Sequence, residues 1–169
     1  MMKRTLIAAM LFSPLIANAA TVSNVTPQTK TVVISAPNAF THVLTPITGL
    51  TAGNVPAGGR EVATGEVKPI SGGSPAQYAV QFASGGNNTL TTAGVNASIK
   101  GSSNPSNLLT LTLQADSTMT APVTTQTVAG TSWLVYPSST SFKYVLNATN
   151  TTISADSYPV TVNAAVYTP

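Results

Sequence analysis

The feature that most constrains this chain is a series of short stretches in which apolar and polar residues alternate strictly. Leu109, Leu111 and Leu113 alternate with Thr110 and Thr112. Tyr78, Val80 and Phe82 alternate with Ala79 and Gln81, and Phe142, Tyr144 and Leu146 follow the same rule. Side chains on an extended strand point to opposite faces in turn, so a period of two marks strands with one buried face. Gly, Pro, Asn and Ser clusters separate these runs, as at Gly85-Gly86-Asn87-Asn88, where a turn is expected. Further strands are predicted over 28–35, 40–47, 61–70, 95–99, 131–136 and 158–167. No helical periodicity competes with them. Many short strands joined by turns predict an all-β fold of two packed sheets, with a closed barrel as the alternative.

The first residues must be set apart from the fold. Met1-Met2-Lys3-Arg4 is basic, Thr5 to Ile16 is an apolar run, and Ala17-Asn18-Ala19 fits the small-x-small cleavage pattern. The run is broken by Pro14 and is shorter than the roughly 18–20 apolar residues a membrane helix needs. Residues 1–19 therefore read as a signal peptide, and the mature chain is expected to begin at Ala20.

Export changes the electrostatics. The mature chain keeps Lys30, Arg60, Lys68, Lys100 and Lys143 against Glu61, Glu66, Asp116 and Asp156, a net charge of +1. No basic patch remains to attract phosphate, which argues against a nucleic-acid partner. Charged residues are 7% of the sequence, where about 25% is usual. There is no cysteine, so stability must come from packing and strand pairing rather than from disulfides.

The same scarcity argues against catalysis. Four carboxylates, one histidine and no thiol leave few groups for acid, base or nucleophile. There is no G-x-S-x-G elbow to present a nucleophilic serine. Beside Val43 and Leu44, His42 is expected to point outward from a strand. One histidine without cysteine cannot build a tetrahedral zinc site, and no acid-rich calcium loop occurs. No catalytic, cofactor or metal residue is predicted. The lone Trp133 is expected in the core because of its large apolar area.

Two segments stand out instead. Lys30-Thr31-Val32-Val33-Ile34-Ser35 is a strand-like run that follows a polar leader. At the other end, the sequence closes on Tyr158 to Tyr167, with Val160, Val162, Ala164 and Val166 on one face. A last strand without a successor leaves a sheet edge to be covered, and a strand from another chain could cover it. By pattern alone, Thr29 to Ser35 fits equally well as the domain's own first strand.

These residues also carry a resemblance. Ser132-Trp133-Leu134-Val135-Tyr136, Tyr144-Val145-Leu146, Ala155-Asp156-Ser157-Tyr158-Pro159-Val160-Thr161-Val162 and the Tyr167–Pro169 terminus resemble the Saf pilins, subunits of fimbriae built by the chaperone–usher pathway. So do Val32-Val33-Ile34-Ser35-Ala36-Pro37 and Leu44-Thr45-Pro46-Ile47-Thr48-Gly49-Leu50-Thr51-Ala52-Gly53. The two blocks cover both ends of the mature chain and keep their order.

The resemblance implies an incomplete immunoglobulin-like β-sandwich completed by a donated strand. Residues 20–37 would be the N-terminal extension and 38–169 the pilin domain. A periplasmic chaperone would first lend a strand. At the outer-membrane usher the extension of the next identical subunit would replace it. Val32 and Ile34 would insert, with Val33 facing away. A one-residue slip would instead turn Thr31 and Val33 inward. Lys30 falls where a third inserted apolar residue is expected. The acceptor groove would be walled by Phe40, Val43, Leu44 and Ile47 on one side and Val160, Val162, Ala164 and Val166 on the other. Tyr167 and Pro169 would dock on the chaperone. The implied function is a structural subunit of a surface fimbria contributing to adhesion, with a host-cell receptor among its partners. A secreted, self-contained carbohydrate-binding sandwich is the alternative.

Overall fold

The structure, a computed structural model, describes residues 40–70, 75–92 and 94–169. Among the described residues twelve strands are formed and none is helical. They are β1 (Phe40–Pro46), β2 (Gly53–Asn54), β3 (Arg60–Pro69), β4 (Ala76–Phe82), β5 (Asn88–Thr92), β6 (Asn96–Lys100), β7 (Leu108–Ala115), β8 (Thr124–Val128), β9 (Thr131–Ser139), β10 (Phe142–Ala148), β11 (Thr152–Ile153) and β12 (Val162–Tyr167).

The strands form two main antiparallel sheets. One has the order β1-β3-β10-β7-β6-β5, the other β12-β4-β9-β8, and a two-stranded ribbon joins β11 to β2. Among the described residues both main sheets keep open edges, and the architecture is the predicted sandwich and not a closed barrel. The alternating runs supply the core. Leu109, Leu111 and Leu113 face Tyr78, Val80 and Phe82 in one buried cluster, together with Phe142, Tyr144 and Leu146. Tyr136 of one sheet stacks on Phe142 of the other, with ring centres 5.1 Å apart and planes 6° from parallel. Offset aromatic pairing of this kind adds to the area term that dominates such a core.

Some expectations need correction. The turn expected at Gly85-Gly86-Asn87-Asn88 ends one residue early, because Asn88 opens β5. Its buried amide donates to the carbonyls of Ala83 (3.0 Å) and Thr161 (3.1 Å). The sequence reading did not foresee β8, a five-residue strand of threonines, glutamine and valine without an apolar alternation. The last strand begins at Val162 rather than Tyr158. Pro159 has no N–H to offer a ladder, so the segment before it runs as a loop. Trp133 is not in the core. Leu134 takes the inward position on β9, which leaves Trp133 half-buried on the opposite face. The predicted strand 28–35 lies outside the described residues.

Candidate functional site

The two sheets each end in a strand with one partner among the described residues. β1 pairs with β3, and β12 pairs with β4. Neither pairs with the other, and apart from His42 their inward faces are apolar. On β1 the alternation turns Phe40, His42 and Leu44 inward and Thr41, Val43 and Thr45 outward. On β12, Val162, Ala164 and Val166 stand opposite Phe82, Val80 and Tyr78 of the core.

Phe40 packs edge-on against Tyr78, with ring centres 6.4 Å apart. Tyr78 is the register partner of Val166. At the other end, Leu44 and Val160 line one cleft. The start of β1 therefore lies level with the end of β12, and the two edges flank a single groove. The cleft at its Leu44 end has a volume of about 510 Å³. Ile47, Val62, Leu146, Ile153 and Tyr158 complete much of its apolar lining.

Of the eight residues predicted to wall the groove, Phe40, Leu44, Val160, Val162, Ala164 and Val166 belong to the buried cluster or pack against it. Ile47 lines the cleft at its rim. Val43 does not line it. It is 52% exposed on the outer face, beside Glu66, Lys68, Asp116 and Lys143. The resemblance counted it among the walls, but its parity on β1 is that of Thr41 and Thr45. Tyr167 is half-buried at the end of β12, and Pro169 is exposed. Val32, Val33 and Ile34 lie outside the described residues.

The same parity corrects the expectation for His42. It faces inward between Phe40 and Leu44, and its Nε2 lies 2.6 Å from the Tyr144 hydroxyl. Burial pushes the His42 pKa down and the Tyr144 pKa up. Tyr144 reaches β1 by crossing Gly65 of the intervening β3. A Cβ at Gly65 would fall 2.0 Å from the Tyr144 ring. A glycine inside a strand commonly marks such a close approach.

The wall of the cleft formed by Ser154–Tyr158 is pinned by Asp156. Its carboxylate accepts from the backbone N–H groups of Ser103 (2.9 Å), Asn104 (3.0 Å) and Ser157 (2.7 Å) and from the Asn107 amide (3.0 Å). These bonds, that of Ser103 first, hold the carboxyl well below the usual carboxylate range. Gly101 makes room, since a Cβ there would lie 2.2 Å from Asp156 Oδ2. The Tyr158 hydroxyl donates to the Ser154 carbonyl at 2.9 Å. On the other side Arg60 donates to the carbonyls of Thr51 (2.8 Å) and Asn54 (2.6 Å). Neither role was assigned from sequence. The available signal was that both are rare charges, Arg60 directly after Pro56-Ala57-Gly58-Gly59 and Asp156 three residues before Pro159.

Open edge strands flanking an apolar cleft are the geometry expected of a sandwich that lacks a strand. The family model for Saf-pilin pilus formation proteins matches residues 20–169. The chain belongs to the Saf pilin family. It is a fimbrial structural subunit, and the self-contained sandwich weighed from the sequence gives way to that assignment.

Solved structures share the pilin's fold at low identity. The Salmonella SafD adhesin is 17% identical, covers 76% of this chain and 84% of its own, and superposes with a TM-score of 0.59. The E. coli Hda pilus minor tip subunit HdaB is 10% identical, with 76% and 83% covered and a TM-score of 0.57. A structure of the fibronectin-binding AAF fimbriae of enteroaggregative E. coli is 11% identical, with 78% and 87% covered and a TM-score of 0.59. No curated protein sequence matches the chain.

Proposed function

We propose that the groove between β1 and β12 receives a strand donated by the next identical subunit, and that this links the fimbria. The observation that carries it is the pair of edge strands, apolar on their inner faces apart from His42, that flank the 510 Å³ cleft without pairing with each other. A strand laid between them would gain main-chain bonds of about 0.5–1.5 kcal/mol each. Its inward side chains would gain roughly 1.5–3 kcal/mol each if fully buried.

The donor is the segment around Thr29–Ser35, with Val32 and Ile34 inserted and Val33 turned away. Residues 1–19 are a signal peptide and 20–37 the donating extension. The family match begins at residue 20, where the predicted cleavage would leave the new N-terminus. In the periplasm a chaperone occupies the groove first and holds the Tyr167–Pro169 end, and the outer-membrane usher exchanges it for the next subunit. Two structural relatives are described as an adhesin and as fimbriae that bind fibronectin. On that likeness each copy in this fimbria contributes to attachment to host or other surfaces.

The test is assembly by the mature chain with residues 20–35 deleted. The truncation should leave a chaperone-bound monomer that cannot extend. Fibres grown from it would refute the proposal. An Ile34→Asp chain that assembled normally would move the donor register off Val32 and Ile34.

A further inference from the structure

We infer that β8 is a second assembly edge, one that pairs side by side with β8 of a second copy of this chain. It ends the four-stranded sheet, with β9 on one side and no described residue hydrogen-bonded along the other. The other edges differ. β1 and β12 flank the groove, and β5 is interrupted by a register shift between Leu90 and Thr92. Such irregularities blunt an edge, as do charges and prolines. β8 has none of these. Its residues are Thr124-Thr125-Gln126-Thr127-Val128, and no charged residue occurs between Asp116 and Lys143.

The main chain specifies the pairing. Val128 and Thr131 close a two-residue turn at Ala129-Gly130, both with positive φ (51° and 79°). In a two-residue hairpin the closing pair is hydrogen-bonded, and the bonded pairs then alternate. Val128, Gln126 and Thr124 thus turn their backbone groups toward β9. Thr125 and Thr127 turn theirs to the free edge. An antiparallel second copy centred on Gln126 sets Thr125 against the second copy's Thr127, and the reverse. Each pair exchanges two bonds. Gln126 then faces itself across the two-fold axis.

Symmetric pairing sets the central residue against its own copy, so a charge there would meet a like charge. Here the centre is a neutral amide flanked by threonines. The near-neutral mature chain adds little general repulsion. Five residues make a weak contact by themselves. Repeated along a polymer of the kind proposed above, and resting on that reading, it becomes multivalent and draws fibres into bundles.

The chain has no cysteine, which allows a clean test. At a non-hydrogen-bonded antiparallel pair the Cα atoms lie about 4.5 Å apart, within disulfide reach. The purified mature chain carrying Gln126→Cys, treated with a mild oxidant, should run as a covalent dimer on a non-reducing gel. Thr140→Cys, exposed in the next turn, should remain monomeric. No dimer at Gln126→Cys, or equal dimer at both positions, overturns the inference. Gln126→Lys should leave fibre length unchanged in electron micrographs and separate the bundles; bundling at the wild-type level would also overturn it. Ile34→Asp distinguishes the two readings, because it stops end-to-end growth without touching β8. A Gln126→Cys dimer that forms in that background supports lateral pairing whatever the fate of the donor strand.

Discussion

His42 on β1 and Tyr144 on β10 meet at 2.6 Å, the Tyr144 ring reaching over Gly65 of the intervening β3. The hydroxyl of a buried tyrosine needs a partner. The imidazole supplies it from the inner face of the strand that walls the groove. An edge strand is thereby tied to the centre of the core through a side chain two strands away.

Gly65→Ala should break this arrangement. The added methyl falls within the Tyr144 ring, which must move or swing off its rotamer. Overpacking of this kind costs typically about 1–3 kcal/mol. Urea denaturation should show a lower midpoint with little change in slope. Tyr144→Phe should lose less, since it keeps the ring and leaves one half-buried imidazole nitrogen without its partner.

His42 should make stability depend on mildly acidic pH. Burial lowers its pKa in the folded chain below the ordinary 6.5, so the unfolded chain binds the proton first as pH falls. The stabilisation is full above about pH 6.5 and is lost as pH drops through that value toward the depressed folded one. Tyr144 is the titratable partner facing His42 among the described residues, and its raised pKa keeps it neutral throughout this range. Thermal melts of the wild type and His42→Gln between pH 7.5 and 5 should diverge, with the variant showing the shallower decline.

Asp156 acts in a lower window. Its folded pKa is depressed, so its contribution is present above the ordinary carboxylate value near 4 and is lost as pH falls below that. Asp156→Ala should lower the melting temperature at neutral pH and remove this acid-dependent component. It should also loosen the Ser154–Tyr158 wall. A synthetic peptide of residues 29–35 would then bind the variant more weakly than the wild type.

Ala129 occupies a left-handed conformation at φ 51° without the freedom of glycine. For an ordinary L-residue that conformation costs roughly 1–2 kcal/mol. Asparagine tolerates it better and is favoured in such hairpins. Ala129→Asn should therefore raise the melting temperature by a few degrees. A fall would mean that the β8–β9 turn is not of this type.

The sequence by itself determined the class of fold and most of the core. Strict alternation at Leu109–Leu113, Tyr78–Phe82 and Phe142–Leu146 has one stable solution, a strand with one face buried, so these side chains could be placed without knowing their partners. Of the side chains the resemblance assigned to the two edge strands, all but Val43 lie against the core or line the cleft. What the sequence left open were facts of register and neighbourhood. Val43 and His42 exchanged faces relative to expectation, because the parity of β1 is set by its pairing with β3 and not by the hydrophobicity of single residues. Gly65 had no meaning until Tyr144 lay across it. Asp156 gained its role from loop residues about fifty positions away. Strand β8 carries no apolar alternation and exists because β9 offers it a ladder. Period and composition are local properties and can be read along the chain. Which edges remain open, and what closes over them, depends on contacts between distant segments, and only the tertiary structure decides those.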